Sequence, residues 1–458
     1  MYADDTIAAI ATPQGPGGIG IVRVSGLGSA DIAERVFVAS LQPASWSSHH
    51  LYHGHLRDQA GNVLDEGLAV LMRAPHSYTG EDVLELHCHG SPVLLRQILL
   101  QVLRCGARPA EPGEFTRRAF LNGRMDLAQA EAVIEVVRAR TTAGAALAAQ
   151  QLTGRLSAHL AGIRDQLIGL KALLETRIDF AEDEVQIATA HILSTCEQCI
   201  EAIRTLIDTF RQGSMLRTGL RVAIVGKPNV GKSSLLNALL GVDRAIVTPL
   251  PGTTRDSIEE SGDFDGMPVV LTDTAGLRPA AHADMVERLG IERTASKMAA
   301  ADFLLAVLDA SARLDADDLA VLESTANLPQ VVVLNKSDLP KMLLENELKE
   351  ALGERVAVAV SAKDGSGLDD LRRTVIAQAG ARSVDTHDLV LFNIRHRDAL
   401  EKAHHSLQLA RESLQLGRAD DLIAVDVQDT VDYISEITGG ITSEDVLDRI
   451  FSEFCIGK

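Results

Sequence analysis

Aromatic side chains, cysteine and positive charge are all scarce in this chain of 458 residues. Phe, Trp and Tyr make up 3% of it. That leaves few surfaces on which bases could stack and argues against RNA recognition by an aromatic-faced sheet or barrel. Five scattered cysteines do not form a disulfide framework. Asp and Glu outnumber Lys and Arg by 63 to 44, a net charge of −19. Bulk electrostatic coating of nucleic acid or anionic lipid is thereby disfavoured, although a local basic cleft is not. Neither a secretory leader nor an uninterrupted apolar run of about 18 residues occurs, so a soluble, cytoplasmic protein without membrane attachment is expected. What is present is enough apolar material, 46%, to build cores, and a length that at roughly 150 residues per domain suggests about three domains.

Hydrophobic patterning predicts a multidomain protein of α/β and α+β type. Residues 1–122 alternate like strands at Thr6–Ala11, Ile19–Ser25, Gly67–Met72 and Val83–His87, with a Pro- and Gly-rich turn at Pro13–Gly18 and a helix over Ser91–Leu103. This is an α+β domain. Residues 123–218 are helical: Leu152, Leu156, Leu160, Ile163, Leu167, Leu170, Leu174 and Ile178 form one apolar stripe, and Ile200, Ile203, Leu206, Ile207 and Phe210 another. Residues 219–381 alternate apolar strands (Leu220–Val225, Val269–Thr272, Phe303–Leu308, Val331–Leu334, Val356–Val360) with helical stretches, the pattern of a parallel sheet. Residues 382–458 return to helix, with Leu400, Leu407, Leu414, then Leu422, Val425, Ile434 and Ile437 as the apolar positions. Each helical half alone is short of partners, so a discontinuous helical domain with the α/β domain inserted into it is expected.

The α/β segment carries phosphate chemistry. Gly226-Lys-Pro-Asn229-Val230-Gly231-Lys232-Ser233 fits the phosphate-binding loop, between a strand and a helix beginning near Ser234. Its glycines free backbone N–H groups to wrap phosphates, Lys232 reaches the outer phosphates and Ser233 offers an oxygen to Mg²⁺. Thr253-Thr254 lies in the following loop and can add a metal-ligating hydroxyl. Asp273-Thr274-Ala-Gly276 ends a strand, bringing a carboxylate towards the metal and a glycine towards the third phosphate. Asn335-Lys336-Ser-Asp338 ends another. A carboxylate there accepts two donors from the guanine edge, whereas adenine would leave it unpaired. Ser361-Ala362-Lys363 fits a loop backing the base. In this order at strand ends, the pieces predict a guanine-nucleotide site and a Ras-like P-loop GTPase fold.

Leu277 stands where Ras-type enzymes carry the glutamine that orients the attacking water. Glu287 is a candidate for that task, acting directly or through a bridging water; the alternative is a solvated helix face. Asn229 is either polar filler or a ligand for a monovalent cation supplying the charge that an arginine finger supplies elsewhere. Two other patterns carry less. Cys196 and Cys199 fall one helical turn apart with no second ligand pair, and His87 and His89 share one face of a strand, where packing or solvent exposure is the usual role.

The inserted α/β segment, its helical flanks, Gly17–Gly26 (Gly-Gly-Ile-Gly-Ile-Val-Arg-Val-Ser-Gly), Pro112–Asn122, Asp126–Glu131 and the terminal Phe454-Cys455-Ile-Gly-Lys458 together resemble the MnmE (TrmE) family of tRNA-modification GTPases. The resemblance spans essentially the whole chain. It implies a homodimer whose GTPase domains meet across K⁺ and thereby activate hydrolysis. Asn229, Thr248, Leu250 and Thr253 would be the K⁺ ligands, Ser233 and Thr254 would hold Mg²⁺, and Glu287 would position the water. Pro249 and Pro251 flank Leu250 and stiffen that loop while keeping their carbonyls. The resemblance further implies an N-terminal folate-binding-type domain that dimerises and holds 5-formyl- or methylene-tetrahydrofolate through Arg23, Glu85, Arg124 and Lys458. Arg124 replaces the family's frequent lysine. An FAD-dependent partner, MnmG (GidA), would join in a heterotetramer or larger complex. The implied product is a carboxymethylaminomethyl or aminomethyl group on carbon 5 of the wobble uridine of certain tRNAs. Cys455 would be the thiol near the folate, reactive only if its thiolate is favoured. The competing expectation is an RNA-binding switch GTPase of ribosome assembly; no GXXG-centred KH pattern is appended to support it.

Overall fold

The computed structural model describes residues 5–139, 141–179, 188–241, 259–273, 301–380 and 389–458. They fall into two compact units: Met1–Ile134 with Gln151–Ile168 and Val431–Lys458, and Glu135–Gln150 with Gly169–Thr430.

The first unit is built on a seven-stranded sheet of β1 (Ile7–Ile10), β2 (Gly17–Ser25), β3 (Phe37–Ala39), β4 (Leu51–Arg57), β5 (Val63–Met72), β6 (Val83–Gly90) and β7 (Arg108–Pro109), in the order β3-β4-β5-β6-β2-β1-β7. All neighbours are antiparallel except β1 and β7. Side chains alternate across the sheet. Val22, Val24, Leu84 and Leu86 face a core shared with helices Ser29–Val36 and Pro92–Arg104. The intervening residues Arg23 and Glu85 therefore point to the opposite face, where Ile7, Ala9, Ala110, Phe115 and Tyr78 form a smaller apolar cluster. Pro92 opens its helix at a position where the missing N–H costs nothing.

The second unit holds a six-stranded sheet of β8 (Leu220–Val225), β9 (Glu259–Phe264), β10 (Met267–Asp273), β11 (Phe303–Asp309), β12 (Gln330–Asn335) and β13 (Ala357–Ala359), in the order β13-β12-β11-β8-β10-β9. Only β9 runs antiparallel. Val222, Ile224, Leu305, Val307, Val331 and Val333 pack into one core and Val225, Ala306, Leu308 and Val332 into another. Burial on both faces is why these strands read as continuous apolar runs. The chain passes from β10 across β8 to β11, so the switch point of the sheet lies beside β8, where open α/β sheets bind ligands at the carboxyl ends of their strands.

The helical flanks depart from expectation in two places. The first stripe is broken at Gly154 (φ +83°), which separates helices Thr142–Leu152 and Arg155–Asp179. Leu156 through Leu174 are buried, but Ile178 is exposed. In helix Asp420–Thr438, Leu422 and Val425 are each 58% exposed, while Ile423, Val427, Val431, Ile434 and Ile437 are buried. The buried set steps by three and four residues as a helix face must; adjacent apolar residues had made the neighbouring positions look equivalent. Helices Thr189–Asp208 and Ile394–Gln415 pack together, and the Cys196 thiol donates to the Leu407 carbonyl at 3.6 Å. Burial pushes Cys196 up to about 12 and Cys199 to about 11. They are core thiols, and no metal-binding group of three or more side chains occurs among the described residues. The Leu391 N–H donates to Thr209 Oγ1 at 2.9 Å, and a Cβ on Gly213 would collide with the Leu391 carbonyl. Leu391, which follows the sheet in sequence, is thus held beside Thr209, which precedes it. No described helix is long and apolar enough to cross a membrane.

Candidate functional site

The phosphate-binding loop connects β8 to helix Lys232–Leu240. Three of its residues have positive φ: Gly226 (+156°), Asn229 (+64°) and Gly231 (+94°). This turns successive N–H groups to one side at the amino end of the helix, a concave anion cradle with the helix dipole behind it. A Cβ at Gly226 would lie 2.6 Å from the Val307 carbonyl, and one at Gly231 would strike Asn335 Nδ2. Lys232 is buried, and its ammonium donates to the carbonyls of Gly226 and Lys227, each at 2.7 Å. These two carbonyls hold its charge at the loop. Ser233 and Ser234 sit in the first turn of the helix, and Val230 packs into the core beneath.

The base-recognition loops are tied to this cradle. Asn335, at the end of β12, donates through Nδ2 to the Val230 carbonyl (2.8 Å) and accepts through Oδ1 from the Ala362 N–H (3.1 Å). One amide thereby joins the phosphate loop to the loop after β13. Lys336 adopts φ +65° and reaches back to the Asn229 carbonyl (3.0 Å) and to Asp309 Oδ2 (2.6 Å). Asp338 accepts from Ser361 Oγ at 3.0 Å, leaving its second oxygen 4.0 Å from Lys363 Nζ. Asn229, Val230, Gly231, Lys232, Ser233, Asn335, Lys336, Asp338, Ser361, Ala362 and Lys363 are thus brought together at the carboxyl ends of three strands. The backbone of Asp273 ends β10, paired with Ile224. Thr248, Pro249, Leu250, Pro251, Thr253, Thr254, Thr274, Gly276, Leu277 and Glu287 lie outside the described residues.

Two supporting residues were not found from sequence. Lys227 donates to Asp315 and Asp318, both at 2.7 Å, pinning the loop to helix Ala316–Ser324, and Asp315 opens that helix with a capping box. The Asp-x-x-Asp spacing before an apolar helix was the available signal. Asp309 was the other: its carboxyl is partly buried, which alone would raise it, but hydrogen bonds from Lys336 and Ser311 hold it below the ordinary range.

A second polar cluster lies on the face of the first unit's sheet opposite its larger core. Arg23 on β2 lies directly opposite Glu85 on β6; its Nε donates to Glu85 Oε1 at 2.9 Å, and its Nη2 lies 2.9 Å from the same oxygen. Both are largely buried, at 17% and 16% exposure. The guanidinium rests near the rings of Tyr78 (5.4 Å) and Phe115 (5.8 Å). Its Nη1 donates to the carbonyl of Gly457, near the other end of the chain, at 3.4 Å. Gly457 has φ +96°, and a Cβ there would strike the Ile10 carbonyl, so this seat admits only glycine. The neighbouring Lys458 is half-buried; burial and the Arg23 charge both lower its ammonium below its ordinary value. Cys455 is exposed, and its carbonyl accepts from the Lys458 N–H at 3.3 Å. Arg124 donates to the Ser77 carbonyl at 3.0 Å, one residue from Tyr78. Arg23, Glu85 and Lys458 converge, with Arg124 bracing the loop that carries Tyr78.

Beneath that loop lies a dense ionic network. Arg118 and Glu114 are 2% and 1% exposed and pair at 3.0 Å. Arg118 also pairs with Asp5 (2.6 Å) and Glu81 (3.2 Å), and Arg108 with Glu114 (2.6 Å). Burial would raise the Glu114 carboxyl, but hydrogen bonds from Arg108, the Glu111 backbone and Arg118 hold it below the ordinary range.

Against known proteins, the model of the MnmE helical domain matches residues 127–455 and that of the GTP-binding protein TrmE N-terminus matches residues 6–124. The chain is 47% identical to the tRNA modification GTPase MnmE of Heliobacterium modesticaldum, over 99% of both chains. It is equally identical to that of Geobacter metallireducens over 100% of both, and 46% identical to that of Symbiobacterium thermophilum over 99% of this chain and 100% of that one. Among solved structures, the G domain of the T. maritima FeoB iron transporter aligns at 26% identity over 35% of this chain and 98% of its own, with a TM-score of 0.28.

Proposed function

This chain belongs to the MnmE family of tRNA modification GTPases, and from that premise we propose that it is a K⁺-activated GTP hydrolase that works with an FAD-dependent partner on the wobble uridine of certain tRNAs. In this reading the four-part division at residues 122, 218 and 381 holds, the N-terminal part dimerises, and the added unit is carboxymethylaminomethyl or aminomethyl. Its carbon comes from a tetrahydrofolate one-carbon donor. The observation that carries the folate part is the meeting of Arg23 and Glu85 with Gly457 and Lys458 on an aromatic floor. A guanidinium, a carboxylate and an ammonium beside Tyr78 and Phe115 suit a flat heterocycle with an acidic tail. The folate would supply a carbon at the formaldehyde or formate level. Arg23 and Glu85 would orient the ring, and Lys458 would meet an anionic group.

For GTP, the loop N–H groups and Lys232 would take the phosphates, exchanging the carbonyls that Lys232 now contacts for phosphate oxygens. Ser233 and Thr254 would hold Mg²⁺. Asp338 would accept both guanine donors, with Asn335 and Ser361-Ala362-Lys363 fixing the loops around the base. Asn229, with oxygens of Thr248, Leu250 and Thr253, would hold K⁺, and Glu287 would orient the attacking water. Asn229 supports this by standing exposed at the rim of the cradle on left-handed backbone. Hydrolysis then transfers the terminal phosphoryl group to water, giving GDP and phosphate.

Calorimetry with 5-formyltetrahydrofolate, paired with GTP turnover in KCl and NaCl, tests both halves. Saturable folate binding and faster turnover in K⁺ are expected. Absence of binding would remove the one-carbon reading, and equal rates in the two salts would remove the K⁺ reading.

A further inference from the structure

His87 stands two residues from Glu85 on β6, so both side chains leave the same face of the sheet. The sequence suggested only packing or solvent exposure for it. Its Nε2 lies 3.3 Å from Glu85 Oε2, the oxygen that Arg23 does not use. The ring is 24% exposed, sheltered enough for the contact to persist and open enough not to be core. The Glu85 carboxylate is therefore gripped from both sides, by Arg23 on Oε1 and by His87 on Oε2. Beyond Arg23, the same guanidinium holds the Gly457 carbonyl. A continuous chain of donors and acceptors runs from β6 through β2 to the C-terminal segment.

We infer that His87 is a positioning residue of the Arg23–Glu85–Lys458 site: by clamping Glu85 it aims Arg23 and, through Arg23, seats the segment that carries Cys455 and Lys458. The inference rests on the folate reading above for its ligand, but the clamp itself is a property of the unliganded protein. A carboxylate held by one partner alone rotates about its last side-chain bond, which has a broad torsional profile. Held at both oxygens, it presents a fixed anion to the guanidinium. The Glu85 carboxyl is accordingly held below the ordinary range, first by the His87 hydrogen bond and then by Arg23, against the opposing effect of burial. The charged groups around it are Arg23 across the sheet and Lys458 from the C-terminal segment.

His87→Leu removes the donor and keeps the bulk; His87→Gln keeps an N–H able to reach Oε2. In the full chain, His87→Leu should weaken 5-formyltetrahydrofolate binding about tenfold, the scale of one hydrogen bond to a charged group. His87→Gln should restore it. The Glu85 carboxyl, followed by ¹³C NMR in unliganded protein, should titrate at higher pH in His87→Leu and near the parent midpoint in His87→Gln. A Gln variant as weak as the Leu variant, or a Leu variant unchanged in affinity, would overturn the assignment. Should the parent protein not bind the folate, the one-carbon reading fails and the Glu85 titration decides the clamp. An unmoved midpoint in His87→Leu refutes it, and a rise reversed by Gln sustains it.

Discussion

The nucleotide cradle and the Arg23–Glu85 site are built by different means. The first is made mostly of backbone, from eight contiguous residues whose left-handed turns at Gly226, Asn229 and Gly231 aim N–H groups at one point. The second is made of side chains that meet only after folding: Arg23 and Gly457 are 434 positions apart, and Arg23 and Glu85 are 62. A backbone site is written locally, because glycine and a helix start are enough to form it. A side-chain site depends on sheet register and on where a distant segment docks. The contrast also separates how each should fail. A backbone cradle tolerates much around it but not the loss of the buried Lys232, whereas a distributed site depends on the network that holds its strands and loops in place.

Lys232→Ala should have the largest effect, cutting GTP hydrolysis about a thousandfold by removing the positive charge at the phosphates, while folate affinity stays at the parent value. A parallel loss of folate binding would show that the two sites are not separately built. Next, Glu114→Gln should destabilise the first unit by about 3 kcal/mol, because it breaks a buried ion pair and leaves Arg118 short of one partner. Trp46 is the only tryptophan and lies in that unit, so its fluorescence reports the transition directly. GTP turnover at moderate temperature should not change. The sign with pH follows from the depressed Glu114 and Asp5 carboxyls. Their stabilisation is complete above the ordinary carboxylate range and is lost as pH falls through their lowered folded values. The acid limb of the Trp46 transition should therefore be shallower in Glu114→Gln, and an identical limb would show that the network does not govern acid stability. Asp338→Asn should be milder, weakening GTP about thirtyfold and shifting preference to xanthosine triphosphate, whose base offers an acceptor where guanine offers a donor. Retained guanine preference in a nucleotide competition assay would detach Asp338 from base recognition.

The cradle and the parallel strands were legible in the sequence because their determinants are contiguous: Leu220–Val225 was bounded to the residue, and Asn335 and Asp338 fell at the end of a continuous apolar run. Strands that escaped notice lack that signature. The edge strand β9, Glu-Glu-Ser-Gly-Asp-Phe, needs only one covered face and reads as a polar turn. β4 buries Leu56 and Gly54 while presenting His53 and His55 on the other side, so its alternation is masked by glycine and histidine. Arg23 and Glu85 looked like the solvent side of ordinary strands; only the resemblance to a family singled them out, and only register makes them opposite neighbours. His87 was set aside for the same reason. Nothing local distinguishes a histidine that grips a carboxylate from one that faces water.

The contact between Thr209 and Leu391 has a consequence for how the molecule can be handled. Two segments 182 positions apart are joined there by a single hydrogen bond, so whatever the chain builds between them begins and ends at one place. Under the proposed division at residues 218 and 381, the nucleotide-binding segment would then be a removable cassette. Cutting it out and rejoining the ends with a few flexible residues should leave the surrounding helices able to close on themselves.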